Sequence, residues 1–157
     1  MLFRSDQFHL TLKFLGVTPP EKISEVKKAL RRVGEHFPAF DFDLKGIGYF
    51  KKNKQPRVLF AKIERDEMLK QLAEEIDFLL SELGFEPETR TFKPHLTLAR
   101  IKQLDAPSRF FDVVHQYPEK RIQRVSIDEI LHYQSILKPQ GAEYRRLAVI
   151  KLQEGPV

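Results

Sequence analysis

The tetrapeptide His-Leu-Thr-Leu occurs twice in the chain, at residues 9–12 and again at residues 95–98. Side chains two positions apart on an extended segment point to the same side, so His9 stands beside Thr11 and His95 beside Thr97, with the leucines turned away. Two imidazoles flanking two hydroxyls suit attack on a phosphodiester without a metal. One neutral histidine accepts the nucleophile's proton, the other donates one to the leaving oxygen as imidazolium, and the threonine hydroxyls hold phosphate oxygens. Histidine serves both roles near neutral pH. A single His-x-Thr is ordinary strand surface, but core packing would repeat the leucines and not the His and Thr. No third histidine has ligand spacing relative to these two, so no metal and no other cofactor is expected.

The elements that must position these residues follow from periodicity. Phe8, Leu10, Leu12 and Phe14 alternate with His9, Thr11 and Lys13, which predicts a half-buried strand over 8–14 that ends at Gly16. Thr18 as N-cap, Pro19 in the first helical position and Glu21 closing a capping box predict a helix with the stripe Ile23, Val26, Leu30, Val33 and Phe37. Strands over 40–44 and 57–63 follow, separated by the basic segment GYFKKNKQP, read as a mobile loop. A second helix covers 66–83 and stops at Gly84. A strand over 92–100, a short helix over 107–117 and strands over 124–134 and 143–152, joined by the turn KPQGAE, complete the chain. This order reads as an internal duplication, with halves of about 1–85 and 86–157. The expected fold is a single α+β domain of two pseudo-symmetric lobes of antiparallel sheet, helices outside, whose motifs line one central cleft.

Composition narrows the chemistry. The 157 residues hold no cysteine, which excludes a disulfide framework, a thiolate nucleophile and a cysteine zinc site. Hydrophobic residues at 41% are enough for a core, and the 27 Lys and Arg against 22 Asp and Glu favour anionic partners such as nucleotides or RNA. No apolar run is long enough for a signal peptide or a membrane span, so a cytoplasmic protein without a membrane partner is expected.

His9-Leu10-Thr11-Leu12 with Lys13-Phe14-Leu15-Gly16, and Phe92-Lys93-Pro94-His95-Leu96-Thr97-Leu98-Ala99-Arg100, resemble the paired signatures of the two-histidine (2H) phosphoesterases. Within that superfamily the chain resembles the bacterial and archaeal RNA 2′,3′-cyclic phosphodiesterases, once named RNA 2′,5′-ligases. Pro56-Arg57-Val58-Leu59, Tyr133-Gln134-Ser135, Gly141-Ala142 and Tyr144 extend the likeness over nearly the whole chain. The resemblance implies a bilobal 2H phosphoesterase-like fold and hydrolysis of a 2′,3′-cyclic phosphate to a 2′-phosphate. It implies His9 and His95 as acid and base, Thr11 and Thr97 on the phosphate, and Arg100 assisting with the anion. Its partners would be RNA with 2′,3′-cyclic phosphate ends, or cyclic nucleotides. Which imidazole is the acid stays open, with His95 preferred as base and His9 as acid. Two other readings of the same residues are 2′,5′ joining of RNA ends, with a 5′-hydroxyl in place of water, and a binding module that holds RNA ends without turnover.

Arg100 poses a problem of parity: five residues past His95, it falls on the opposite face of a straight strand. A strand end or a bulge beyond Leu98 is required. Further substrate-binding candidates are Lys13, which has the parity of His9, then Tyr49 and Phe50 beside the KKNK run as a nucleobase platform, and Arg57 and Tyr133. His36 and His115 read as exposed residues near helix ends, and His132 as strand surface. The resemblance also implies a strand and a helix ahead of the first motif, where only MLFRSDQF stands. The expectation is that the natural chain begins upstream of Met1, or that a second copy covers an open sheet edge.

Overall fold

Val26, Ala29, Leu30, Val33 and Gly34 recur at helical spacing and form the buried side of the first helix, α1 (Pro20–His36). Around it the computed structural model, which describes residues 8–139 and 141–154, places β1 (Phe40–Lys52), β2 (Gln55–Glu64), α2 (Glu67–Glu82), β3 (His95–Arg100), α3 (Pro107–His115), β4 (Arg121–Ile127), β5 (Glu129–Lys138) and β6 (Gly141–Lys151). Residues 1–7 of the MLFRSDQF segment lie outside the described residues. The fold is α+β, with antiparallel ladders and, among the described residues, three helices.

Two compact units are present, and they are not the two sequence halves. The first takes residues 8–12, Asp41–Lys70 and Phe92–Val125; the second takes Lys13–Phe40, Gln71–Thr91 and residues 126–154. In the first, four strands lie in the order β3-β2-β1-β4. Tyr49 of β1 packs edge-on against Phe110 and Phe111 of α3, at 5.6 and 5.5 Å, so α3 covers one face of this sheet. In the second, α1 packs on the β5–β6 hairpin. Gly34 permits this approach, because a Cβ there would come within 2.4 Å of the Lys151 carbonyl oxygen. Leu72, Ile76 and Leu80 of α2 are buried, each contributing about 2 kcal/mol by leaving water. α2 ends in the left-handed residue Gly84 (φ 87°), with Phe85 N–H donating to Leu80 O at 3.2 Å.

Several expectations are corrected. Residues 8–14 form no strand: alternation sets which side chains share a side, whereas a strand also needs a neighbouring chain to take its N–H and C=O groups, and no described ladder includes them. The capping box does not form. α1 begins one residue later with Pro19 at the N-cap, and the Thr18 hydroxyl donates to Gly16 O at 3.4 Å. The expected mobile loop is the end of the β1–β2 hairpin, where Lys52 pairs with Gln55 around Asn53 and Lys54, both at positive φ (53° and 63°) as a tight two-residue turn demands. The strand read over 124–134 breaks at Asp128 into β4 and β5. His132 is not strand surface. It is 8% exposed and leaves its Nδ1 without a hydrogen-bond partner.

Candidate active site

The second motif heads β3, and the ladder to β2 sets its geometry. His95 pairs with Lys62, Leu96 with Ala61 and Thr97 with Phe60, but Leu59 then pairs with Ala99 and Val58 with Arg100. Leu98 is therefore an extra residue in β3, a bulge that reverses the parity beyond it. Val58, Phe60 and Lys62 share one face of β2, so their partners Arg100, Thr97 and His95 share one face of β3. A bulge brings Arg100 to this face, and it lies at Leu98 itself and not beyond it.

On that face the next strand contributes Gly48 and Phe50, paired with Phe60 and Val58. Phe50 stacks on Phe60 with centroids 4.4 Å apart, and both meet the His95 ring edge-on, at 4.9 and 5.4 Å. The His95 Nδ1 donates to the Lys93 carbonyl oxygen at 2.8 Å. A carbonyl only accepts, so the proton sits on Nδ1, and in the neutral ring Nε2 is the atom left to take one up. That state is the one a general base needs. Lys62 adds a cation on this face, its Nζ 3.2 Å from Pro118 O.

The first motif lies in residues 8–12, which belong to the same unit as β3, although it sits in no helix or strand. His9 is half-buried and Thr11 exposed.

The other candidates scatter. Tyr49 faces α3, on the side of the sheet away from His95, and Lys51 lies over its ring at 5.5 Å, so of the expected aromatic platform only Phe50 shares the face of His95. Arg57 donates to Lys102 O at 2.5 Å and to Gln55 Oε1 at 3.0 Å, which ties down the exit of β3. Lys13 belongs to the second unit, where it pairs with Asp77 and donates to Glu86 O at 2.7 Å; at 8% exposure it is a structural cation. Burial pushes the Asp77 carboxyl up, but hydrogen bonds from Lys13 and from the Glu88 N–H outweigh it and hold it below 3.8. Tyr133 is also in the second unit, packed edge-on against Tyr144 at 5.9 Å. Phe60 and Gly48 escaped the sequence reading. Strand parity, of Gly48 with Phe50 and of Phe60 with Val58, is their only local signal, and contact with His95 depends on the register of three strands. Among the described residues no cluster of three metal-ligating side chains occurs, and no helix is long and apolar enough to cross a membrane.

The profile of the AKAP7 2'5' RNA ligase-like domain family matches residues 1–152. A Thermotoga maritima protein named RNA 2′,3′-cyclic phosphodiesterase is 36% identical over 150 residues, spanning 96% of this chain and 78% of its own. One of the same name from Aeropyrum pernix is 30% identical over 93% of this chain and 82% of its own. Among solved structures, TT0787 of Thermus thermophilus superposes with a TM-score of 0.80 at 30% identity, over 96% of this chain and 81% of that one. E. coli LigT, solved with 3′-AMP, shares the fold at a TM-score of 0.76 and 24% identity, over 96% of this chain and 80% of that one.

Proposed function

The chain belongs to the AKAP7 2'5' RNA ligase-like domain family, and on that premise we propose that it hydrolyses 2′,3′-cyclic phosphate ends of RNA, or cyclic nucleotides, to 2′-phosphates. The observation that carries this reading is the shared face of His95, Thr97 and Arg100, created by the Leu98 bulge, in the unit that also contains His9 and Thr11. The names of the Thermotoga and Aeropyrum relatives support the substrate class.

In this mechanism His95 Nε2 accepts a proton from water as the water oxygen forms a new bond to phosphorus. The bond from phosphorus to O3′ breaks, and His9, as imidazolium, protonates the departing O3′. Thr11, Thr97 and Arg100 hold the phosphate oxygens as charge builds on them. In this reading the two imidazoles carry both proton transfers and Thr11, Thr97 and Arg100 carry the phosphate contacts, and no step is assigned to a metal.

Purified protein with a 2′,3′-cyclic nucleotide and excess EDTA should yield the 2′-phosphate, identified by phosphorus NMR. His9→Ala and His95→Ala should each lower turnover at least about a hundredfold, the usual scale for a general acid or base, and Thr11→Ala and Thr97→Ala less. A 3′-phosphate product, or activity lost to EDTA and restored by a divalent cation, overturns the mechanism. Binding without product turns the reading to an RNA-end binding module.

A further inference from the structure

We infer that Phe60 is a positioning residue for His95, and that the absent side chain of Gly48 is what lets it act. The inference rests on His95 being the base proposed above. Gly48 and Phe60 are partners in the β1–β2 ladder, and the Phe60 ring lies across the strand over Gly48. A Cβ at position 48 would come within 2.8 Å of Phe60 Cζ and 2.9 Å of Cε2, closer than such atoms approach. Glycine leaves room for the ring to lie flat, and from there it reaches His95 at 5.4 Å while Phe50 stacks on it at 4.4 Å.

Histidine χ2 is a soft torsion with broad, roughly two-fold freedom. The strand backbone does little to restrict it. Two contacts do. The bond from Nδ1 to Lys93 O selects one of the two ring flips, and the aromatic pair limits rotation within that flip, Phe50 at 87° to the imidazole and Phe60 at 64°. Phe50 is 37% exposed and stands at the solvent side of the pair. Phe60 is half-buried, anchored by the ladder on both sides, and braces Phe50 as well as His95. The division of labour is that Phe50 meets substrate, whereas Phe60 acts through His95.

The test compares Phe60→Ala, Phe60→Leu, Phe60→Tyr, Gly48→Ala and Phe50→Ala in the full chain, with nitrogen-15 NMR of the His95 ring alongside turnover of a 2′,3′-cyclic nucleotide. Phe60→Ala and Phe60→Leu should lower kcat about tenfold or more, since small misplacements of a reacting group are costly, with KM nearly unchanged. Their His95 nitrogens should shift from the pure Nδ1–H form towards a mixture of tautomers. Phe60→Tyr should restore both. Gly48→Ala should reproduce the defect while leaving Phe60 and His95 intact in sequence, and Phe50→Ala should act mainly on KM. A folded Phe60→Leu or Gly48→Ala protein with unchanged kcat and an unchanged His95 spectrum overturns the inference, as does a rise in KM alone. If Phe60→Ala does not fold, Phe60→Leu and Gly48→Ala decide. Should the wild type turn over no cyclic substrate, the proposed function fails, while the His95 spectra still decide the positioning role.

Discussion

Thr97 and Arg100, three positions apart in β3, stand on the same face of the sheet because the ladder skips Leu98 between them. One unpaired residue thus brings a guanidinium to the side of the imidazole and the hydroxyl. Arg100→Ala should weaken binding of inorganic phosphate and of a 2′-nucleotide product by roughly tenfold, the worth of a charge-assisted hydrogen bond of about 1.5 kcal/mol. Isothermal titration checks this. Arg100→Lys should recover only part of the loss, because an ammonium lacks the planar fork that matches phosphate.

Lys13 separates structure from catalysis. Lys13→Ala leaves the part-buried Asp77 carboxylate without its cation, which should cost about 2 kcal/mol of stability in urea unfolding, below the value for a fully buried pair because Asp77 keeps 23% exposure. Turnover by the folded variant should be unchanged. The folded-state pKa of Asp77 lies below 3.8, so its stabilisation is complete above 3.8 and is lost as pH falls through the lower folded value. Lys13→Ala should flatten that acid dependence.

His132 has the opposite chemistry and the same sign of pH dependence. Burial lowers its pKa from 6.5, so the unfolded chain binds the proton more readily than the folded one. Stability is full above 6.5 and falls as pH drops below it, until the folded value is reached. His132→Leu should remove that slope from denaturant titrations and, by deleting the unpaired Nδ1, raise stability at neutral pH by about 1 kcal/mol.

At the β1–β2 turn, Lys54 is held at φ 63°, a conformation that costs a side-chain-bearing residue about 1 kcal/mol. Lys54→Gly should recover most of that in thermal melts and leave turnover of a mononucleotide substrate unaltered.

What the residues disclose on their own is local. The repeated His-x-Thr is the local pattern on which the proposed chemistry rests, and the stripes from Val26 to Val33 and from Leu69 to Leu80 mark α1 and α2 to within a few residues, because helical hydrogen bonds close inside the segment that carries the pattern. Strand periodicity says less, since a strand is completed by a partner distant in sequence. Residues 8–14 alternate as well as β3 does and yet form no ladder. Tyr49 and Phe50 are neighbours in sequence, but the register of β1 sends one against α3 and the other against His95. Lys13 carries the parity of a phosphate ligand, and Asp77, sixty-four residues away, decides that it is structural. The need for a bulge near Arg100 is legible from counting residues; that Leu98 supplies it depends on which residue of β2 lies opposite, and only the folded sheet determines that.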